Sequence, residues 1–116
     1  MTDESNDTPV LDLIARMTAD SLEASTLDPS SFMLVRIAAL VAVDAPAASY
    51  LANIGPAADV GVGVDAVRGV LCAIAPIVGT ARVVSATGKI VRALGVALEA
   101  ELEALEAEQE QEEEAG

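Results

Sequence analysis

The residue types that most enzymes use for proton transfer and covalent catalysis are scarce in this chain. It has 116 residues, no histidine and a single cysteine, Cys72. Without histidine, neither a Ser-His-Asp triad nor a Cys-His pair can form, and every metal site that needs an imidazole ligand is excluded. The apolar neighbours of Cys72, from Val70 to Ile74, indicate a small core residue rather than a nucleophile. We therefore predict no metal and no cofactor.

Two glycine-containing segments resemble nucleotide-binding motifs only in part. Gly88-Lys89 lacks the earlier glycine and the following Ser or Thr of a phosphate-binding loop, because those positions hold Val83 and Ile90. Gly61-Val62-Gly63 lacks the third glycine of a dinucleotide fingerprint, and no strand precedes it. The segment around Gly61 is predicted to be a turn that connects two helices.

The net charge of −13 is concentrated at the two ends of the chain. Residues 1–8 hold three acidic residues, and residues 99–116 hold nine glutamates and no basic residue. Residues 9–98 hold seven acidic and six basic residues, so this part is nearly neutral. We interpret residues 1–8 as a disordered acidic N-terminus, residues 9–98 as a single helical domain, and residues 99–116 as a Glu-rich helix end or tail.

Composition also bears on partners and location. The acidic surface argues against nucleic acid and against anionic membranes. The charge-free stretches 45–58 and 69–81 contain proline and are shorter than a membrane span. With one cysteine and no secretion-signal pattern, the chain is predicted to be cytoplasmic. Its apolar fraction of 53 % exceeds what a body of this size can bury, so we expect a homo-oligomer.

Apolar residues recur at helical spacing, and strand-like alternation is not convincing anywhere. Three Thr- or Asp-led segments that contain proline, at Thr8-Pro9, Asp28-Pro29 and Asp44-Ala45-Pro46, resemble helix starts. The sequence predicts an all-α protein of five helices, over residues 9–24, 30–43, 45–58, 64–78 and from about 80 into the tail.

Three features are expected to shape the helix ends. Gly55-Pro56 should kink or end the third helix, and Gly79 should end or bend the fourth. The fifth helix should fray after about Glu106, because the glutamates of its last turns oppose the helix dipole.

From Asp28 to about residue 95, the chain resembles the carboxymuconolactone decarboxylase family, which includes the alkylhydroperoxidase-D-like (AhpD-like) proteins. Met33–Val43 looks like the family's apolar L-x-R-L-A-A helix, and Ala57–Val67 looks like its glycine turn and the helix start that follows. Leu71–Ala86 looks like its A-P-containing helix-turn-helix. The resemblance implies a five-helix AhpD-like bundle that assembles as trimers or hexamers.

The family's active-site residues are not retained. Its redox branch uses a glutamate and then Cys-x-x-Cys-x-x-x-His on the next helix. With Gly61 as the anchor, these four positions fall at Leu34, Pro46, Ser49 and Asn53. The decarboxylase branch keeps a histidine, and this chain has none. The resemblance therefore implies the family's fold and assembly without its chemistry.

Polar residues still occupy the face on which the family's pocket lies. Ser49, Tyr50 and Asn53 could form a small polar site there, with Arg36 as an anion contact for a small carboxylate. The alternative is that Ser49 and Asn53 only form local hydrogen bonds, while Arg36 pairs with an aspartate.

Three functions follow from these interpretations. The first is a non-catalytic pseudoenzyme that serves as an oligomeric structural or interaction module and binds a protein partner. The second is a non-redox enzyme, a carboxymuconolactone decarboxylase-like lyase acting on a small carboxylate or lactone through Arg36, Tyr50 and Asn53. The third is a peroxidase-like antioxidant activity, which we do not favour because Cys72 would have to work alone.

Overall fold

A computed structural model describes residues 8–115, and within them the chain forms five α-helices and no strand. The helices are α1 (Pro9–Ala24), α2 (Pro29–Ala42), α3 (Ala47–Asp59), α4 (Val64–Val78) and α5 (Thr80–Ala115). The predicted all-α class with five helices is confirmed. The predicted disorder of residues 1–8 lies, except for Thr8, outside the described residues.

The start of α2 follows the Asp-Pro pattern that the sequence predicts. Asp28 is the N-cap, and its carboxylate accepts a hydrogen bond from the Ser31 backbone N–H at 3.1 Å. The hydroxyls of Ser31 and Ser30 also donate to it, at 2.7 and 2.8 Å. These bonds, that of the Ser31 hydroxyl above all, lower the pKa of Asp28 to about 2. Pro29 fits the first helical position because its missing N–H would have no partner there.

The other two predicted helix starts are not capped in this way. Thr8 occupies the N-cap position of α1, but its hydroxyl donates to the Asp12 carboxylate and caps no backbone N–H. The start predicted at Asp44 is wrong, because α3 begins at Ala47 with Pro46 as its N-cap. Asp44 instead adopts a left-handed φ of 54° in the α2–α3 turn, and its carboxylate is used elsewhere.

Gly55-Pro56 does not end α3, which continues to Asp59. Pro56 cannot donate to the carbonyl of Ala52, so one helical hydrogen bond is missing. The proline lies in the last turn, and the next residue, Ala57, is buried against α2. Packing of this last turn therefore holds the helix together beyond the proline.

The two ends of α5 differ in how well the sequence predicts them. Gly79, with a φ of 88°, ends α4 as predicted, and α5 begins at the next residue. The predicted fraying after Glu106 is wrong, because α5 remains helical to Ala115. Residues 99–115 consist of Ala, Leu, Glu and Gln, which are all strong helix formers. Their combined propensity outweighs the unfavourable charge at the C-terminal end.

Helices α2 to α5 pack around two small groups of buried side chains. α3 lies chiefly against α5, and α2 lies against α4 and α3. The first group is Phe32, Met33, Ile37, Ala57 and Val62. The second group is Val41, Ala45, Tyr50, Ala86 and Ala93. The α5 members of the second group are alanines, only 1 % and 2 % exposed, which lets the helix backbones approach closely.

A polar link also holds α5 to the α2–α3 turn. The Asp44 carboxylate accepts hydrogen bonds from the Lys89 ammonium at 2.9 Å and from the Ser85 hydroxyl at 2.8 Å. The bonds from Lys89 and Ser85 keep the pKa of Asp44 below its ordinary value. This link spans more than forty residues of sequence, and it fixes the position of the turn beside α5.

Much apolar surface stays outside this packing. No residue of α1 and none of α4 is buried, and every residue of α5 from Leu98 to Ala115 is exposed. Cys72 is exposed too, so its prediction as a core residue is wrong. The inner face of α4 follows Val67, Leu71 and Ile74, and Cys72 lies off that line.

Among residues 8–115, no helix combines the length and the apolar character needed to cross a membrane.

The alanine contact with α5 leads to a prediction about packing. Ala93→Leu adds three carbons to a fully packed site, and we expect the free energy of unfolding to fall by about 1–3 kcal/mol. Ala100→Leu is the matched control on the exposed part of the same helix, where the change should stay within about 0.5 kcal/mol. Urea unfolding followed by circular dichroism, at one protein concentration, compares the two. Equal effects would contradict the close contact.

Candidate functional site

The best-organised polar group in the bundle joins α2 to α3. The Arg36 guanidinium donates from Nε to Oδ1 of Asn53 at 3.1 Å, and Nδ2 of Asn53 donates to the Ser49 carbonyl at 2.7 Å. The Arg36 guanidinium carbon also lies 5.3 Å from the centre of the Phe32 ring, within cation–π range. All three polar residues are half-buried.

This arrangement uses the hydrogen-bonding groups of Asn53 for structure. Its amide oxygen accepts a hydrogen bond from Arg36, and its amide nitrogen donates one to the Ser49 carbonyl, one turn earlier in α3. Arg36 is bonded to Asn53, so the expected pairing of Arg36 with an aspartate does not form. The local hydrogen bond between Asn53 and Ser49 does form, as expected if these residues serve only the structure. An amide and a guanidinium do not exchange protons near neutral pH, so the group offers no general acid or base.

A cavity of about 190 Å³ lies beside this polar group. Its walls come from α2, α3, the start of α4 and the middle of α5. The lining residues are Ile37, Tyr50, Asn53, Ile54, Ala57, Ala58, Val62, Gly63, Val64, Val67, Ile90 and Leu94. Tyr50 and Asn53 are the only side chains among these with hydrogen-bonding groups, so the cavity is almost entirely apolar.

Tyr50 is the unusual member of the lining. The residue is 2 % exposed, and within residues 8–115 no group lies within hydrogen-bonding reach of its buried hydroxyl. Burial raises the pKa of Tyr50 above its ordinary value, and the negative charge of Asp44 raises it further. The phenol therefore stays neutral at physiological pH and keeps its proton available as a hydrogen-bond donor.

The structure gathers only some of the residues that the sequence analysis selects. Tyr50 and Asn53 line the cavity, whereas Arg36 and Ser49 contact Asn53 and are not part of the lining. Leu34 is half-buried and packs against the first group of core residues. Pro46 is exposed at the start of α3. The four positions that correspond to the family's redox motif therefore do not form a shared site.

Several residues that line the cavity are not predicted from the sequence. The segment Val62–Val64, which leads into the first residue of α4, closes one side of the cavity. Ala57 and Ala58 leave space beside it because their side chains are small. The succession of small residues from Ala57 to Gly63 is the available signal, but a turn between helices has the same composition.

The described residues do not assemble a site for metal binding or for thiol chemistry at the cavity. Within residues 8–115, no three side chains of the His, Cys, Asp and Glu types are grouped as metal ligands. Cys72 is on the outer side of α4 and is not part of the cavity lining. The site therefore consists of an almost entirely apolar cavity, and the hydroxyl of the lining residue Tyr50 is itself buried without a partner.

Comparison with protein-family models, with curated proteins and with solved structures gives no match to this chain. The resemblance to the carboxymuconolactone decarboxylase family consequently stays a prediction, as do the function and the assembly that it implies.

The unpartnered phenol leads to a prediction about stability. Tyr50→Phe removes a buried polar atom that gains no hydrogen bond on folding, and we expect the free energy of unfolding to rise by about 1 kcal/mol. Tyr50→Ala removes the ring as well and should lower the free energy of unfolding by about 3–5 kcal/mol, as for other buried aromatic residues. Urea unfolding measures both variants. A loss of stability in Tyr50→Phe would show that the hydroxyl is bonded.

Proposed function

We propose that this protein is a non-catalytic, homo-oligomeric interaction module of the cytoplasm, and that other copies of the chain cover its apolar surfaces. One observation carries the proposal. Within residues 8–115, ten hydrophobic residues are buried, while eighteen large hydrophobic side chains are exposed. Exposed apolar surface on this scale is typical of protein–protein interfaces.

Helix α1 is the clearest example of such a surface. Val10, Leu13, Ile14 and Met17 lie on one face of the helix, and each is at least half exposed. Helices in proteins are stabilised mainly by the packing of an amphipathic face, so we expect the stability of α1 to depend on packing of that face. A covering copy of the chain would supply this packing.

The chemistry of the site agrees with a module that lacks catalysis. The only hydrogen-bonding side chains of the cavity are an amide committed to structure and a neutral phenol. Neither group is a nucleophile or a base near neutral pH. The resemblance to the decarboxylase family supports the same reading, because the catalytic positions of that family hold Leu34, Pro46, Ser49 and Asn53 here.

The proposal predicts that charges placed on the apolar face of α1 break the assembly. We expect the unmodified protein to elute as an oligomer in size-exclusion chromatography with light scattering at micromolar concentration. Ile14→Asp with Met17→Asp should shift the mass toward the monomer, because burying these carboxylates is costly.

The matched control is Ala15→Asp with Ala19→Asp, which adds the same two charges to the opposite face of α1. This variant should keep the mass of the unmodified protein. A monomer in the unmodified protein would overturn the proposal, and equal dissociation of the two variants would remove α1 from the interface.

A second candidate function, the binding of a small molecule, is favoured by the apolar cavity. An apolar cavity of about 150 Å³ in another protein accommodates benzene, so about 190 Å³ is enough for a ring of that size. The lining carries no charge, since Arg36 is engaged by Asn53 outside it. An uncharged apolar ring therefore fits this site better than the small carboxylate expected from sequence.

This candidate predicts that a six-membered hydrocarbon ring binds more tightly than the matching ring carboxylate, because an apolar cavity offers no partner for the charge. Shifts of the Ile37 and Ile54 methyl resonances on titration would measure both affinities. Ala58→Leu, which adds three carbons to the cavity lining, should weaken hydrocarbon binding about tenfold, whereas Tyr50→Phe should leave it unchanged. Equal affinities of the unmodified protein for the ring and for its carboxylate would rule out the apolar cavity as the binding site.

A further inference from the structure

A narrow apolar stripe runs from the packed half of α5 into its exposed half, and most of it is not covered by its own chain. The stripe consists of Val91, Leu94, Leu98, Leu102 and Leu105. With 3.6 residues per turn, these five side chains lie within about 80° of the helix circumference. Four of them are between 51 % and 63 % exposed, and Leu94 is half-buried at the edge of the cavity.

The spacing of this α5 stripe is symmetric about Leu98. Val91 and Leu105 each lie seven residues from Leu98, and Leu94 and Leu102 each lie four residues from it. Two copies of α5 that cross antiparallel at Leu98 would therefore bring every residue of the stripe opposite another one. An interface of this kind is self-complementary, as two-fold symmetry requires.

The charges along α5 favour the antiparallel direction. Residues 99–115 carry nine glutamates, whereas residues 81–97 carry no acidic residue. The basic residues of this segment do not contribute across the stripe, because Arg82 and Lys89 lie on the opposite side of the helix and Lys89 is bonded to Asp44. In the register centred on Leu98, residues 99–115 of each copy lie along residues 81–97 of the other. A parallel pair would instead place the two glutamate segments side by side, which like-charge repulsion disfavours.

The bundle leaves this side of α5 accessible. Val91 of the stripe and Val84, one heptad before it, lie on the part of the helix that packs in the bundle, and both are more than 60 % exposed. From Leu98 onward, all described residues of α5 are exposed and extend away from the core. A second copy would therefore supply the missing packing for the projecting half of the helix.

We propose that the protein pairs with a second copy of itself through the α5 stripe, antiparallel and centred on Leu98. This inference rests on the proposed homo-oligomeric function and deepens it by assigning an interface. The pair has two-fold symmetry, so the assembly is a dimer or a larger even-numbered oligomer. Of the two assemblies implied by the family resemblance, it agrees with the hexamer and not with an isolated trimer.

Cysteine cross-linking tests both the direction and the register of this pair. The exposed Cys72 is first replaced by serine, and light scattering checks that the mass is unchanged. Val91→Cys and Leu105→Cys are then made in separate chains and treated with a short bismaleimide, each alone and as an equimolar mixture. We expect a covalent dimer in the mixture and little in either single variant.

A matched control uses positions with the same symmetry on the opposite side of the helix. Val96 and Ala100 each lie two residues from Leu98, but they face away from the stripe. A mixture of Val96→Cys and Ala100→Cys chains should therefore cross-link at least tenfold less than the Val91→Cys and Leu105→Cys mixture. Equal cross-linking of the two mixtures would indicate random collision and would overturn the proposed contact.

The remaining outcomes separate this inference from the proposed function. Cross-linking of Val91→Cys alone and of Leu105→Cys alone would indicate a parallel pair and overturn the antiparallel register. An oligomer that forms no cross-link in any mixture would place the interface elsewhere, for example on α1, and overturn the inference while the proposed function stands. A monomer would overturn both.

Discussion

The constraint on which the rest of the structure depends is the shortage of large side chains in the core. The whole chain has two aromatic residues, Phe32 and Tyr50, and one lies in each of the two buried groups. Elsewhere the helices approach one another on alanine, as at Ala86 and Ala93. Small side chains bring backbones close together but remove little surface from water, so the hydrophobic gain per residue is low. A thin core and an extensive exposed apolar surface are consequences of the same composition.

The same constraint accounts for the cavity and for the way it is bounded. Ala57, Ala58 and Gly63 leave space where larger residues would fill it. The hydrogen bonds between Arg36, Asn53 and the Ser49 carbonyl hold α2 and α3 together beside that space. Polar groups thus provide part of the helix-to-helix contact that bulky residues provide in other bundles. Asn53 is committed to this role, and the cavity beside it stays almost entirely apolar.

How far the sequence predicts the structure depends on whether local or long-range interactions decide each element. The start of α2 at Pro29 and the end of α4 before Gly79 are predictable, because a capping carboxylate and a positive φ act within a few residues. Asp44 is misread as a cap, since its partners Ser85 and Lys89 are distant in sequence. Likewise, the pairing of Arg36 with Asn53 and the exposure of Cys72 depend on which helix faces another, and helical periodicity alone does not determine that.

Helix α5 is a single unbroken element of 36 residues, and this continuity mechanically joins two parts of the molecule. Its first half provides Ile90 and Leu94 to the cavity wall, and its second half extends beyond the bundle for about 27 Å, at 1.5 Å per residue. A continuous helix that is held at one end transmits a tilt along its length. Where the helix moves as one body, a tilt of the projecting half also displaces Ile90 and Leu94 in the cavity wall. By thermodynamic reciprocity, any coupling between these two places must have the same magnitude in both directions.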